Sequence, residues 1–267
     1  MPVINLARLK TQSVRLSEKF GEPESFVREL DEMLDFYTNR TIRATQITRR
    51  LSLPTYRTPA PVIRQIQAEL LPLAESHPVE AVSLTYALWK AGSLESRLLA
   101  AFLLGSVPPA QAIPALTSLP RWLSQSTDKQ IHQALFTEAL KRVRKENPDA
   151  FFSIIQGWIG STIPKEQTWG LSALVPLLHE SNFENLPAIF RIVRPAVISV
   201  TPETQLALQT CLHAMESISL VETISFLREA ITSTTDPVPL RVIGRMLPGF
   251  SAGLQAALRD ILRQKKG

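Results

Sequence analysis

Apolar residues recur along this chain at helical spacing. Phe26, Leu30, Met33, Leu34 and Tyr37 make one stripe, and Ile131, Leu135, Ala139 and Val143 make another. Each stripe falls on one face of a helix and would turn that face toward a core. Sustained strand-like alternation is scarce. Helix starts are marked by a small polar residue before proline: Thr58-Pro59, Asn147-Pro148, Thr201-Pro202 and Asp236-Pro237. That order places a capping side chain ahead of a proline whose missing N–H costs the first turn nothing. Thr127-Asp128-Lys129-Gln130 reads as a capping box with Thr127 at the cap and Gln130 at N3.

These starts predict helix pairs over about 59–91, 93–125, 127–160, 164–194, 201–233 and 236–266. A helix-turn-helix unit returning every ~34–37 residues is the pattern of a stack in which each pair buries its apolar face on the next. The tetratricopeptide and ankyrin signatures are absent, leaving the looser HEAT-like class. The fold expected is all-α, a right-handed α-solenoid of HEAT-like antiparallel helix pairs. Two further helices, about 23–37 and 40–52, are expected to cap its N-terminal end. With no internal Gly- or Ser-rich linker, residues 1–267 read as one repeat domain, with caps in 1–58 and about six pairs in 59–267.

Composition narrows the function classes. Glycine is scarce, 10 residues of 267, which argues against phosphate-cradling glycine loops and tight β-hairpins. The single cysteine, Cys211, excludes an intramolecular disulfide and a multi-cysteine zinc site. It stands two residues from His213, and on a helix such positions point apart. No metal site and no cofactor are expected. The longest apolar run, Leu98 to Leu104, is far short of the roughly 20 residues a membrane helix needs. The N-terminus MPVINLARLK has no secretory apolar segment. A soluble, cytoplasmic, monomeric protein without membrane contact is the expectation.

Charge points toward a partner. The net charge is only +5, yet between Phe36 and Ala68 stand Arg40, Arg43, Arg49, Arg50, Arg57 and Arg64 with no acid. An acid-free arginine block suits a polyanion, nucleic acid being the commonest. The competing reading is a solvated surface neutralised by acids from Glu18 to Asp35. Further bases fall toward the ends of second helices: Lys90, Arg121, Arg191, Arg194, Arg228, Arg259 and Arg263. In a stack such positions would align into a ridge able to follow a phosphate backbone. Cations near helix C-termini also complement the helix dipole wherever they occur.

One family resemblance is carried by specific residues. Leu53-Pro-Thr-Tyr-Arg-Thr-Pro59 followed by Val62-Ile-Arg-Gln-Ile66 resembles the segment preceding a basic helix in the DNA alkylation repair family. Leu88-Trp-Lys-Ala-Gly92 with Glu95-Ser-Arg-Leu-Leu-Ala100 resembles its next signature. The resemblance covers roughly residues 40–105. It implies a HEAT-like repeat fold, duplex DNA as partner and, in active members, excision of alkylated purines. Those members use aromatic walls and an aspartate on the concave face. The nearest match here is Trp122 with Asp128, the catalytic candidates; Asp128 reads more readily as a helix-start acid. Trp158 and Trp169 are further candidates, although Ser172 stands where the family has an arginine after the tryptophan.

The sequence thus predicts a DNA-binding HEAT-like protein with weak or lost base excision. Arg43, Arg50, Arg57, Arg64, Arg121, Trp158, Trp169, Arg191, Arg194 and Arg228 are the candidate DNA contacts. The alternative is a non-catalytic scaffold taking a protein partner in the same groove.

Overall fold

The computed structural model describes residues 5–38, 53–181 and 183–266. Among these every regular element is helical and there is no strand. The chain divides into two compact units, Met1–Pro148 and Asp149–Gly267, each described by itself.

The first unit opens with α1 (Leu6–Ser17), capped by the Asn5 side chain, and α2 (Pro23–Phe36). Helix α1 has no counterpart among the predicted elements; α2 fits the expected 23–37. The expected helix 40–52 lies outside the described residues, with Arg43 and Arg50 on it. Next come α3 (Ala60–Ser76) and α4 (Pro78–Ala91), then α5 (Leu94–Leu104), α6 (Pro109–Leu116) and α7 (Leu119–Gln125). The second helix predicted within 93–125 is therefore two short ones, broken ahead of Pro120, which cannot continue a helix from α6. The unit ends with α8 (Lys129–Ala134), a π-helical turn (Leu135–Ala139) and α9 (Lys141–Glu146).

Helices two apart in sequence pack together. Helix α1 lies on α3, α3 on α5, and α5 on α8 with its π-turn; α2 lies on α4, α4 on α6, and α6 on α9. Helices α4 and α5 share the broadest contact. The connection between them turns at Gly92, whose φ of 83° is left-handed backbone that glycine adopts without steric cost. Burial follows the stripes: Phe26, Leu30 and Leu34 on α2, Val62, Ile66 and Leu70 on α3, Leu84 and Leu88 on α4.

The π-turn has two visible supports. Gly105, just after α5, sits so near it that an added Cβ would lie 1.8 Å from the Glu138 carbonyl oxygen. Arg144, buried behind it, donates from Nη1 to the Phe136 carbonyl at 3.3 Å. That bond serves a carbonyl in the stretch where the regular ladder is interrupted.

The second unit holds α10 (Pro148–Ile159), α11 (Pro164–Leu178), α12 (Leu186–Ile198), α13 (Gln205–Ile218), α14 (Leu220–Ser233), α15 (Pro237–Met246), a 3-10 turn (Leu247–Gly249) and α16 (Ala252–Lys266). The same alternation recurs: α11 packs on α13 and α13 on α15, while α12 packs on α14 and α14 on α16. Helix α13 starts three residues later than Thr201-Pro202 predicts. There Thr201 and Thr204 close a hydrogen-bonded turn instead, Thr204 N–H donating to Thr201 O at 3.2 Å. No helix of the described residues is long and apolar enough to cross a membrane.

Candidate functional site

The chemistry of the first unit gathers around an extended strap, residues 53–59, that leads into α3. Ser93 caps α5, accepting from Ser96 N–H at 3.1 Å, and the Leu94 N–H donates to Pro54 O at 2.8 Å. This sets Glu95 in the first turn of α5 against the strap, buried. Its Oε1 accepts from the Thr55 hydroxyl at 2.8 Å and the Thr58 N–H at 3.3 Å; Oε2 accepts from the Tyr56 N–H at 3.2 Å. One carboxylate thereby accepts three hydrogen bonds from an extended segment whose donors no helix or sheet satisfies.

Held this way, Arg57 takes a φ of 53°, the one described non-glycine residue with left-handed backbone. Thr58 does not cap α3 as predicted; Pro59 occupies the cap position, and the Thr58 hydroxyl is shielded with no hydrogen-bond partner. Strap, α3, α5 and α8 border an open cleft of about 690 Å³. Arg57 and the exposed Arg64 line it with Thr55, Thr58, Ala60, Ile63, Leu94, Glu95, Leu98 and Gln130. Neither arginine forms an ion pair among the described residues. Tyr56, behind the strap, has its phenol pushed up to about 12, first by burial, then by the charge and hydrogen bonding of Asp31.

The aromatic candidate is deep in packing. Trp122 is 1% exposed, stacks on Trp89 with ring centres 4.4 Å apart at 11°, and meets Tyr86 edge-on at 5.7 Å. The Trp89 indole N–H donates to Gln125 Oε1 at 3.0 Å. Arg97 closes the stack, its guanidinium 4.7 Å from the Trp89 ring centre. Burial lowers its pKa, and its Nε and Nη1 have no hydrogen-bond partner. This is a cation–π pair within the fold. Asp128, not Thr127, caps α8: Oδ1 accepts from Gln130 N–H at 2.8 Å and Ile131 N–H at 3.4 Å. His132 ties down the same turn, with Nε2 2.7 Å from Ser126 O and 3.1 Å from Leu123 O. Arg121 is exposed on the first turn of the short α7, not at the end of a long helix.

In the second unit Trp158 and Trp169 are 7% and 4% exposed. Trp158 lies at a close α10–α11 approach, where a Cβ on Gly170 would lie 2.6 Å from Ile159 Cγ1 and 3.2 Å from Trp158 Cβ, while Lys165 Nζ stands 5.7 Å from the Trp169 ring centre. Arg194 donates to Glu229 Oε1 at 2.7 Å and to the Ser233 hydroxyl at 3.2 Å, so its charge is locally matched. Arg191 is exposed, and Arg228 borders a second cleft of about 650 Å³ on α14 with Val221, Ile224 and Thr232. Burial pushes the Cys211 thiol up to about 12, far from nucleophilic at neutral pH. No group of three His, Cys, Asp or Glu side chains among the described residues is arranged to hold a metal.

Of the sequence candidates, the structure brings Arg57 and Arg64 into one cleft and leaves Trp122 and Asp128 in separate local roles beside it. The cleft residues that sequence reasoning missed, Ile63, Leu98 and Gln130, carried a faint signal. Ala60, Ile63 and Arg64, like Leu94, Glu95 and Leu98, share one helical face outside the apolar stripe. No protein-family model, no curated protein and no solved structure matches this chain.

Proposed function

We propose that the protein binds the phosphate backbone of duplex DNA, independently of sequence, through the strap cleft, on units built as HEAT-like α-solenoid stacks. The observation that carries the reading is the pairing of Arg57 and Arg64, neither in an ion pair among the described residues, in one cleft fixed by Glu95. Guanidinium groups are suited to phosphate oxygens by their planar fork of donors. Alternate-helix packing in each unit supports the repeat architecture. The resemblance of residues 40–105 to the DNA alkylation repair family supports the same partner.

Base excision is weak or lost in this reading. An oxocarbenium-like sugar needs a carboxylate and a platform for the departing base. Here the Asp128 carboxylate caps α8, and the buried Trp122 ring is already occupied by its stack on Trp89 and its edge contact with Tyr86. The experiment is fluorescence anisotropy with a labelled duplex over a salt series, together with alkali-sensitive scission of a duplex carrying one cationic methylpurine. Salt-steep binding without scission is the expected result; robust scission overturns the second half of the reading.

A second reading is a protein-interaction scaffold. The observation favouring it is the apolar mouth of the α14 cleft, where Val221 is 75% exposed beside Ile224. Binding to that face would change little with salt.

A further inference from the structure

We infer that the strap cleft is a site for a phosphomonoester on a nucleotide-sized body, either the 5′-phosphate end of a nucleic-acid strand or a free mononucleotide. This rests on the reading of Arg57 and Arg64 as phosphate ligands. Its volume, about 690 Å³, is that of a small-molecule site.

The lining is divided in a way that matches such a ligand. Arg57 and Arg64 supply the cationic groups; Ile63, Leu94 and Leu98 supply an apolar wall for a planar base or sugar face. Gln130 adds an amide that can both donate and accept. Arg57 is presented by strained backbone, and strain is maintained only where surroundings over-determine it; the three bonds to Glu95 do so.

Charge favours the monoester over the diester. A phosphomonoester carries about −1.5 to −2 at neutral pH, against −1 for a backbone diester. Two guanidiniums face the cleft. The one carboxylate there, Glu95, offsets one of these charges, with both its oxygens turned to the strap. The starts of α3 and α5 also border the cleft, each adding roughly half a positive charge.

The test uses the full chain and compares labelled oligonucleotides bearing a 5′-phosphate or a 5′-hydroxyl, with mononucleotide and inorganic phosphate as competitors. The 5′-phosphate should bind about tenfold tighter, and the preference should grow between pH 5 and 7 as the second phosphate ionisation, near 6, completes. Mononucleotide should compete well and inorganic phosphate poorly. Arg64→Gln, an exposed change, should abolish the preference. Arg57→Gly, which suits the left-handed backbone, should do the same in a protein whose circular dichroism is unchanged. Salt-dependent duplex binding with no end preference and no mononucleotide competition overturns this inference and leaves the backbone reading standing. Mononucleotide binding without duplex binding does the reverse, and binding of neither overturns both.

Discussion

Replacing Glu95 with glutamine should loosen the strap while changing almost no volume. Oε1 serves Thr55 and Thr58, and Oε2 serves the Tyr56 N–H. The amide oxygen can keep the first two bonds, but as neutral ones, and its NH2 then faces the Tyr56 N–H. A hydrogen bond to an ionised acceptor contributes about 1.5–3 kcal/mol and a neutral one about 0.5–1.5, so the two retained bonds lose roughly 1 each. The donor left facing another donor adds about 1 kcal/mol, the low end of the range because the strap is half-buried and water reaches part of it. The total is about 3 kcal/mol, or about 6–12 °C in Tm for a unit of this size. The assay is urea unfolding followed by tryptophan fluorescence, with amide exchange at Tyr56 and Thr58 read alongside. A loss below about 0.5 kcal/mol with unchanged exchange at both amides would refute the role given to Glu95.

Gly105→Ala should cost about 3 kcal/mol by thermal unfolding, since the new Cβ would collide with the Glu138 carbonyl; a change under about 1 would mean the π-turn moves aside easily. Trp122→Ala should cost about 3–5 kcal/mol through loss of the stack on Trp89 while leaving DNA affinity in the folded protein within twofold. A large affinity loss at intact stability would return Trp122 to the ligand-binding surface. Tyr56 should titrate near 12 in an absorbance titration, against 10 for a free phenol. Because the folded-state value is the higher one, its stabilising contribution is complete below pH 10 and is lost as pH rises from 10 through about 12. Asp31→Asn should lower the midpoint, and no change would remove Asp31 as a cause.

Much of the helical frame was legible because prolines and cap residues punctuate it. The predicted start at 236 is realised by Asp236, which accepts from Val238 N–H at 2.8 Å, and that at 127 by its neighbour Asp128. Helix α1 escaped because it has no proline at its start; its marks are Asn5 and the spacing of Leu9, Ser13 and Leu16. The π-turn has no local signal, since it depends on Gly105 and Arg144, remote in sequence. At the site, the acid-free block drew attention to Arg57 and Arg64, but not to the cleft they share. That cleft is completed by Glu95, nearly forty residues on, and by Leu98 and Gln130. Trp122 and Asp128 read as chemistry because residue type and proximity in sequence carry no information about burial. The stack on Trp89 and the cap of α8 are properties of packing.

The central claim is phosphate recognition by the strap cleft, and the most direct measurement is the salt dependence of duplex affinity for the wild type and for Arg57→Gly/Arg64→Gln. Each phosphate contact contributes about 0.9 to the slope of log K against log salt. The account predicts measurable wild-type binding to any duplex sequence, and a slope reduced by about two in the double variant. An unchanged slope and affinity in that variant, or no duplex binding by the wild type at low salt, would contradict it.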